Sequence, residues 1–131
     1  MDKAAATGIP EKAEEFKKLI ESADGIIISL AEHNGSYSAA FKNIMDWISR
    51  MPSKLWGEKK MLLLSTSPGG RGGQNVLNTA AGGYPYMGAE VITTFAMPSY
   101  HANFSEAEGI TDAGLRTEFE KALSLFTTAL D

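Results

Sequence analysis

The chain has 131 residues, 44% of them hydrophobic and 21% charged, with twelve basic against sixteen acidic side chains and a formal net charge of −4. That balance describes one ordinary globular domain; it excludes disorder and, with no basic run along any stretch, argues against a nucleic-acid phosphate footprint. Cysteine is absent, which excludes disulfides, thiol catalysis and Cys-based metal sites and fits a reducing compartment.

The start, Met1 to Ala6, lacks the apolar stretch of a secretory signal, and no run approaches membrane-spanning length, so a cytoplasmic protein without a membrane partner is expected. Pro10 to Ala23 reads as a helix. Its apolar positions Ala13, Phe16, Leu19, Ile20 and Ala23 recur at three- and four-residue steps, Pro10 suits the first helical position, and Lys17 and Lys18 lie among the polar residues toward its end. Gly25 to Leu30 is then a first strand, and the unbroken Ile26-Ile27-Ile28 indicates a strand covered on both faces. It empties into the polar loop Ala31 to Ser36, which opens onto a helix starting near Ser38 with the stripe Phe41, Ile44, Met45, Ile48 and Met51. Trp47 lies beside that stripe, as core, as subunit contact or as a stacking surface.

A second buried strand is expected over Met61 to Leu64, followed by the most unusual stretch in the chain, Ser65 to Gly73, and by a short helix over Gln74 to Ala81. Glu90 to Phe95 reads as a third strand, running into the loop Met97 to Phe104. Asp112 is a candidate N-cap for a closing helix with the stripe Leu115, Phe119, Ala122, Leu123, Phe126 and Leu130. Helices alternating with short apolar strands imply an α/β fold, a parallel sheet with helices on both faces and all three strand-end loops at one edge. Ligands of open α/β sheets sit at that edge.

Of the loops, Ser67-Pro68-Gly69-Gly70-Arg71-Gly72-Gly73 carries four glycines just ahead of a helix. Glycine lets the backbone approach a flat or anionic ligand and point successive amides at it. The spacing is neither the dinucleotide fingerprint nor a P-loop, and a merely flexible loop has the same composition. His33 and His101 show no metal-ligand spacing, and no nucleophile-elbow pattern surrounds Ser67. Glu32 heads its loop as a lone carboxylate, better suited to accepting hydrogen bonds than to acting as a general base.

Two landmarks in order give a resemblance. Ala23-Asp24-Gly25, then Ala31-Glu32-His33-Asn34-Gly35-Ser36, then Phe41-Lys42-Asn43 and Asp46-Trp47 form the first; Ser67 to Gly73, reading Ser-x-Gly-Gly-x-Gly-Gly, is the second. Together they resemble the NADPH-dependent FMN reductase family of flavodoxin-like proteins, which includes azo- and quinone-reducing members. The resemblance implies a doubly wound parallel sheet and an FMN whose ring lies between Glu32, His33, Asn34, Gly35 and Ser36 on one side and Ser67, Pro68, Gly69, Gly70, Arg71, Gly72 and Gly73 on the other. It implies NADPH or NADH as reductant and a small quinone, azo or flavin-type electron acceptor, with no obligatory catalytic side chain. His33 replaces the family's tyrosine and Ala31 its proline, and the family's first strand and phosphate-binding loop have no counterpart here. An N-terminally truncated version of the fold with three strands is therefore expected. The strand Gly25 to Leu30 would have a bare edge, paired by a copy of the same chain in a dimer or tetramer or by a separately supplied N-terminal piece. The alternatives are a non-catalytic flavodoxin-like oligomer that has lost FMN and a small-anion binding module.

Overall fold

The computed structural model describes residues 8–131. Helix α1 spans Glu11–Ser22, strand β1 Gly25–Leu30, α2 Ala39–Ile48, β2 Lys59–Thr66, α3 Gln74–Gly83 and β3 Ala89–Met97. A single turn α4 (Tyr100–Asn103), a two-residue hairpin β4 (Phe104–Ser105) and β5 (Gly109–Ile110), and the long helix α5 (Ala113–Leu130) complete the chain.

Strands β1, β2 and β3 stand side by side in that order, all parallel. Ile26, Ile27 and Ile28 lie opposite Met61, Leu62 and Leu63, so the apolar runs build the centre of the sheet. The β2–β3 register slips between Met61 and Leu62, leaving Ile92 of β3 without a partner and adding local twist.

The pleat divides the core in two. Ile26, Ile28, Leu30, Met61 and Leu63 face a cluster with Ala13 and Ile20 of α1, Met45 and Ile48 of α2, and Val76, Leu77 and Ala80 of α3. Leu62, Leu64, Phe95 and Met97 face the other way, against Phe119, Ala122 and Phe126 of α5. A chain that steps from β1 to β2 to β3 by right-handed crossovers must put α2 and α3 on one face, and α5 then covers the opposite one. That cover is partial. The end of α5 sits so close over β1 that a Cβ on Gly25 would lie 2.6 Å from Leu130, but Ile27, pointing to the same face, is 49% exposed on the free edge of the sheet.

Local signals set the ends of the helices. Ser38, near which the sequence places the start of α2, caps that helix by accepting from the Phe41 amide at 3.2 Å, and Asp112 caps α5 by accepting from the Leu115 amide at 2.9 Å, as the sequence predicts. Pro10 stands one position earlier than expected, as the α1 cap residue, where its carbonyl receives the Ala13 and Glu14 amides. Lys17 also departs from expectation. It is buried, and its ammonium donates to the carbonyls of Lys54 and Leu55 (2.9 Å for the latter), with the Glu21 carboxylate 3.9 Å away. Burial holds this amine below the usual lysine range, partly offset by Glu21. The bond fastens the loop ahead of β2, which carries the fully buried Trp56, to α1.

Truncating Lys17 would leave those carbonyls without their charged donor. Lys17→Ala is expected to lower unfolding stability by about 1.5–3 kcal/mol in urea titrations, whereas Lys12→Ala, an exposed ion pair with Glu15, should change it by less than about 0.5 kcal/mol.

Candidate functional site

The parallel order brings the loops after β1, β2 and β3 to one edge of the sheet. After β1, the segment His33-Asn34-Gly35-Ser36 is a tight reversal. The His33 amide donates to the Ser36 carbonyl at 2.9 Å and the Ser36 amide returns to His33 at 3.1 Å, with Asn34 and Gly35 at φ values of 52° and 79°. Positive φ at both central residues is the geometry for which Asn-Gly is the preferred pair. His33, Asn34, Gly35 and Ser36 are exposed and Glu32 is half-buried. Tyr37, immediately behind, stacks on the buried Tyr84 with ring centres 6.2 Å apart, and Tyr84 donates to the Met45 sulfur at 3.6 Å. Burial raises both phenols above their ordinary range. The turn is thus exposed but rooted in the core.

The four glycines of the second loop divide into two kinds. Gly72 and Gly73 are buried, with φ of 60° and 77°. A Cβ at Gly72 would stand 2.7 Å from the carbonyl carbon and oxygen of Met97, and one at Gly73 would stand 3.0 Å from Cβ of Ser65. Their role is structural, since only glycine lets the loop lie directly on the end of β3. Gly69 and Gly70 are exposed and need no left-handed conformation; a Cβ on Gly70 would meet nothing within 4 Å. Their bare backbone faces open space.

The carbonyls of this loop are turned inward. Gly69 accepts from the Ser99 amide at 2.9 Å, Ser67 from the Tyr100 amide at 3.0 Å, and Gly72 from the buried Ser65 hydroxyl at 2.7 Å. Among the described residues, the amides of Gly69, Gly70 and Arg71 make no backbone hydrogen bond. Ser67 directs its hydroxyl only to the Gly69 carbonyl, at 3.4 Å, and Pro68 is exposed beside it. Arg71 donates to the Asn75 side chain at 2.7 Å, and the Asn75 amide nitrogen is also the nearest group to Gly35, 3.9 Å from where a Cβ would stand. Asn75 therefore links the two loops. No sequence pattern singles it out, because the contact needs the start of α3 to lie beside the β1 turn.

The loop after β3 was expected to be irregular. It instead holds α4 and leads into the hairpin, and Tyr100 stacks on Phe104 with ring centres 5.1 Å apart. These rings, with Leu64, Phe119 and Leu123, wall a cavity of about 650 Å³ between the sheet and α5, open at the same edge. The patterns of two-residue strands are too short to show in the sequence. His101 packs edge-on to Tyr100, 5.4 Å away. Among the described residues no group of acidic, histidine or cysteine side chains is placed to hold a metal, and no helix is long and apolar enough to cross a membrane.

The two loops present amides without backbone partners, glycine backbone without projecting side chains, and a tight exposed turn. Residues 1–102 match the model of the NADPH-dependent FMN reductase family. The chain belongs to that family. Similar reductases include an NADPH:quinone oxidoreductase of Arabidopsis thaliana, 39% identical over 66 residues, and a 2-hydroxy-1,4-benzoquinone reductase of a Burkholderia species, 41% identical over 64 residues. Those alignments cover 50% and 48% of this chain but only 33% and 35% of the relatives, so the chain matches about a third of their length. Among solved structures, FerB, a flavoenzyme NAD(P)H:(acceptor) oxidoreductase from Paracoccus denitrificans, superposes on 98% of this chain with a TM-score of 0.72 at 22% identity, using 74% of its own length. That likeness establishes the flavodoxin-like fold of this FMN reductase family member.

The two kinds of glycine are separable by stability. Gly72→Ala, which drives a methyl into the Met97 backbone, is expected to cost about 2 kcal/mol or more in unfolding free energy. Gly70→Ala should stay within about 0.5 kcal/mol of the parent in the same measurement.

Proposed function

We propose that this chain forms the ring-binding part of an NAD(P)H-dependent FMN oxidoreductase that passes electrons from NADPH or NADH to a quinone, azo or flavin-type acceptor. The observation that carries this reading is the exposed backbone of Gly69, Gly70 and Arg71, linked through Asn75 to the Asn34-Gly35 turn, in a member of this family. Quinone and azo substrates in the names of relatives support the acceptor class, and family membership favours catalysis over a non-catalytic oligomer or a small-anion module.

FMN, when bound, supplies the redox chemistry by accepting reducing equivalents from the nicotinamide and releasing them to the acceptor. The chain binds and orients. Amides of Gly69, Gly70 and Arg71 would hold the ring by donating to its acceptor atoms and would favour negative charge there. The Asn34-Gly35 turn forms the facing wall, and His33 offers an imidazole face where the family carries tyrosine. His33 and Ser36 hold the two ends of the turn, with Glu32 and its carboxylate just ahead of it. Ser67 and Pro68 lead the glycines off β2, and Arg71 keeps its guanidinium on Asn75.

The working protein needs β1 paired, since Ile27 lies on a bare apolar edge. We place a further copy of the chain, or a strand–loop–helix piece that also grips the FMN phosphate, on that edge. A homo-oligomer in a cytoplasmic setting is the form in which we expect the nicotinamide chemistry to run.

Titrating the chain into FMN should quench flavin fluorescence, and NADPH oxidation with benzoquinone should then depend on added FMN. Gly70→Val, which projects into open space, should weaken quenching about tenfold without lowering the melting temperature. No quenching at high micromolar chain, or NADPH oxidation indifferent to FMN, contradicts the reading. Light scattering of the same samples reads the assembly, and a well-folded monomer counts against pairing by a second copy.

A further inference from the structure

The glycine-rich loop holds its own orientation only by long bonds, 3.4 Å each, from the Gly72 amide and the Ser67 hydroxyl to the Gly69 carbonyl. With no side chains at residues 69 and 70, a peptide plane there can rotate at little steric cost and exchange the directions of its carbonyl and its N–H. The shortest bond that fixes the direction comes from outside the loop. In a trans peptide the carbonyl of one residue and the N–H of the next point opposite ways, so a donor that captures the Gly69 carbonyl also aims the Gly70 N–H away from itself. That donor is the Ser99 amide at 2.9 Å, and the next amide, Tyr100, captures the Ser67 carbonyl at 3.0 Å.

Two successive amides can serve that loop because Ser99 has left-handed backbone, φ 49° and ψ 60°, a conformation a non-glycine residue adopts only when its surroundings impose it. The surroundings do so by several bonds. The Ala102 and Asn103 amides donate to the Ser99 carbonyl at 2.9 and 3.2 Å, and the Asn103 side chain donates to the Pro98 carbonyl at 2.8 Å. The Thr111 amide donates to the Asn103 carbonyl at 2.8 Å. Arg116 on α5 then grips the hairpin through the Ile110 carbonyl at 2.7 and 2.9 Å. A continuous brace therefore runs from α5 through the hairpin to the loop after β3 and into the glycine-rich loop, and much of it lies beyond the family-matched residues 1–102.

We propose that Ser99 is a positioning residue for the flavin site: its left-handed backbone directs the Ser99 and Tyr100 amides onto the Gly69 and Ser67 carbonyls, which turns the Gly70 amide outward to the ring. The proposal rests on the flavin reading above and adds a residue that touches no part of the ring. It also gives the hairpin and Arg116 a reason to exist at the site's far side.

The test uses the full chain, labelled for amide hydrogen exchange by NMR, together with FMN fluorescence titration. In the parent, the amides of Ser99 and Tyr100 should be protected. Ser99→Val, whose β-branched side chain disfavours positive φ, should lose protection at residues 99 and 100 and bind FMN about tenfold more weakly, while Leu62 and Leu63 in β2 exchange as before and show that the fold is intact. Ser99→Gly keeps the amide and adopts the left-handed conformation freely, so it should restore both protection and affinity. Unchanged protection in Ser99→Val, unchanged FMN affinity despite lost protection, or a Ser99→Gly variant as impaired as Ser99→Val overturns the proposal. A parent chain that quenches no FMN while Ser99→Val still loses protection overturns the flavin reading and leaves the brace standing.

Discussion

The structure depends on one close approach, that of the Gly72 backbone to the Met97 backbone where β2 and β3 end. A Cβ there would lie 2.7 Å from the Met97 carbonyl, so no other residue permits the loop to lie flat on the neighbouring strand. Around that contact the Thr66 hydroxyl donates to the Met97 carbonyl at 2.7 Å and the Ser65 hydroxyl to the Gly72 carbonyl at 2.7 Å. Polar groups that a buried strand end would otherwise leave unsatisfied are thereby used to fasten the loop. With the Ser67, Gly69 and Gly72 carbonyls bonded inward, the exposed part of the loop offers the amides of Gly69, Gly70 and Arg71.

Much of this was legible in the sequence because it depends on local pattern. The unbroken Ile26 to Ile28 and Met61 to Leu64 runs mark parallel strands, of which only the second is buried on both faces while β1, expected to be covered on both, exposes Ile27 as the edge strand, and the Asp112 cap is read from residue type and the helical period that follows. The glycine-rich loop was visible, yet its division into two buried structural glycines and two exposed ones was not, because the division is made by Met97 and Ser65, far away or on another strand. Lys17 was misplaced on the solvent side for a related reason. Its position on the helix gives no hint that two carbonyls of a distant loop descend onto it. The hairpin and the Ser99 turn escaped notice because they are held by tertiary hydrogen bonds, with no periodicity of their own.

The partial cover of the sheet sets the other limit on function. α5 protects β2, β3 and the start of β1, but Ile27 and the cavity above Ser29 and Leu64 stay open. In a parallel sheet such an edge continues to offer hydrogen-bonding groups beside apolar side chains. The ring site and the open edge meet at the same rim, so whatever pairs with β1 will also stand next to the Asn34-Gly35 turn.

The central claim is that the loops after β1 and β2 together form a seat for the flavin ring itself, apart from any phosphate contact. Mapping amide chemical shifts on adding riboflavin, which has the ring and lacks the phosphate, tests it most directly. The account predicts perturbations concentrated at Gly69, Gly70, Arg71, Asn34 and Gly35, with the α1 and α2 amides unmoved; shifts confined to other surfaces, or none at saturating riboflavin, would contradict it.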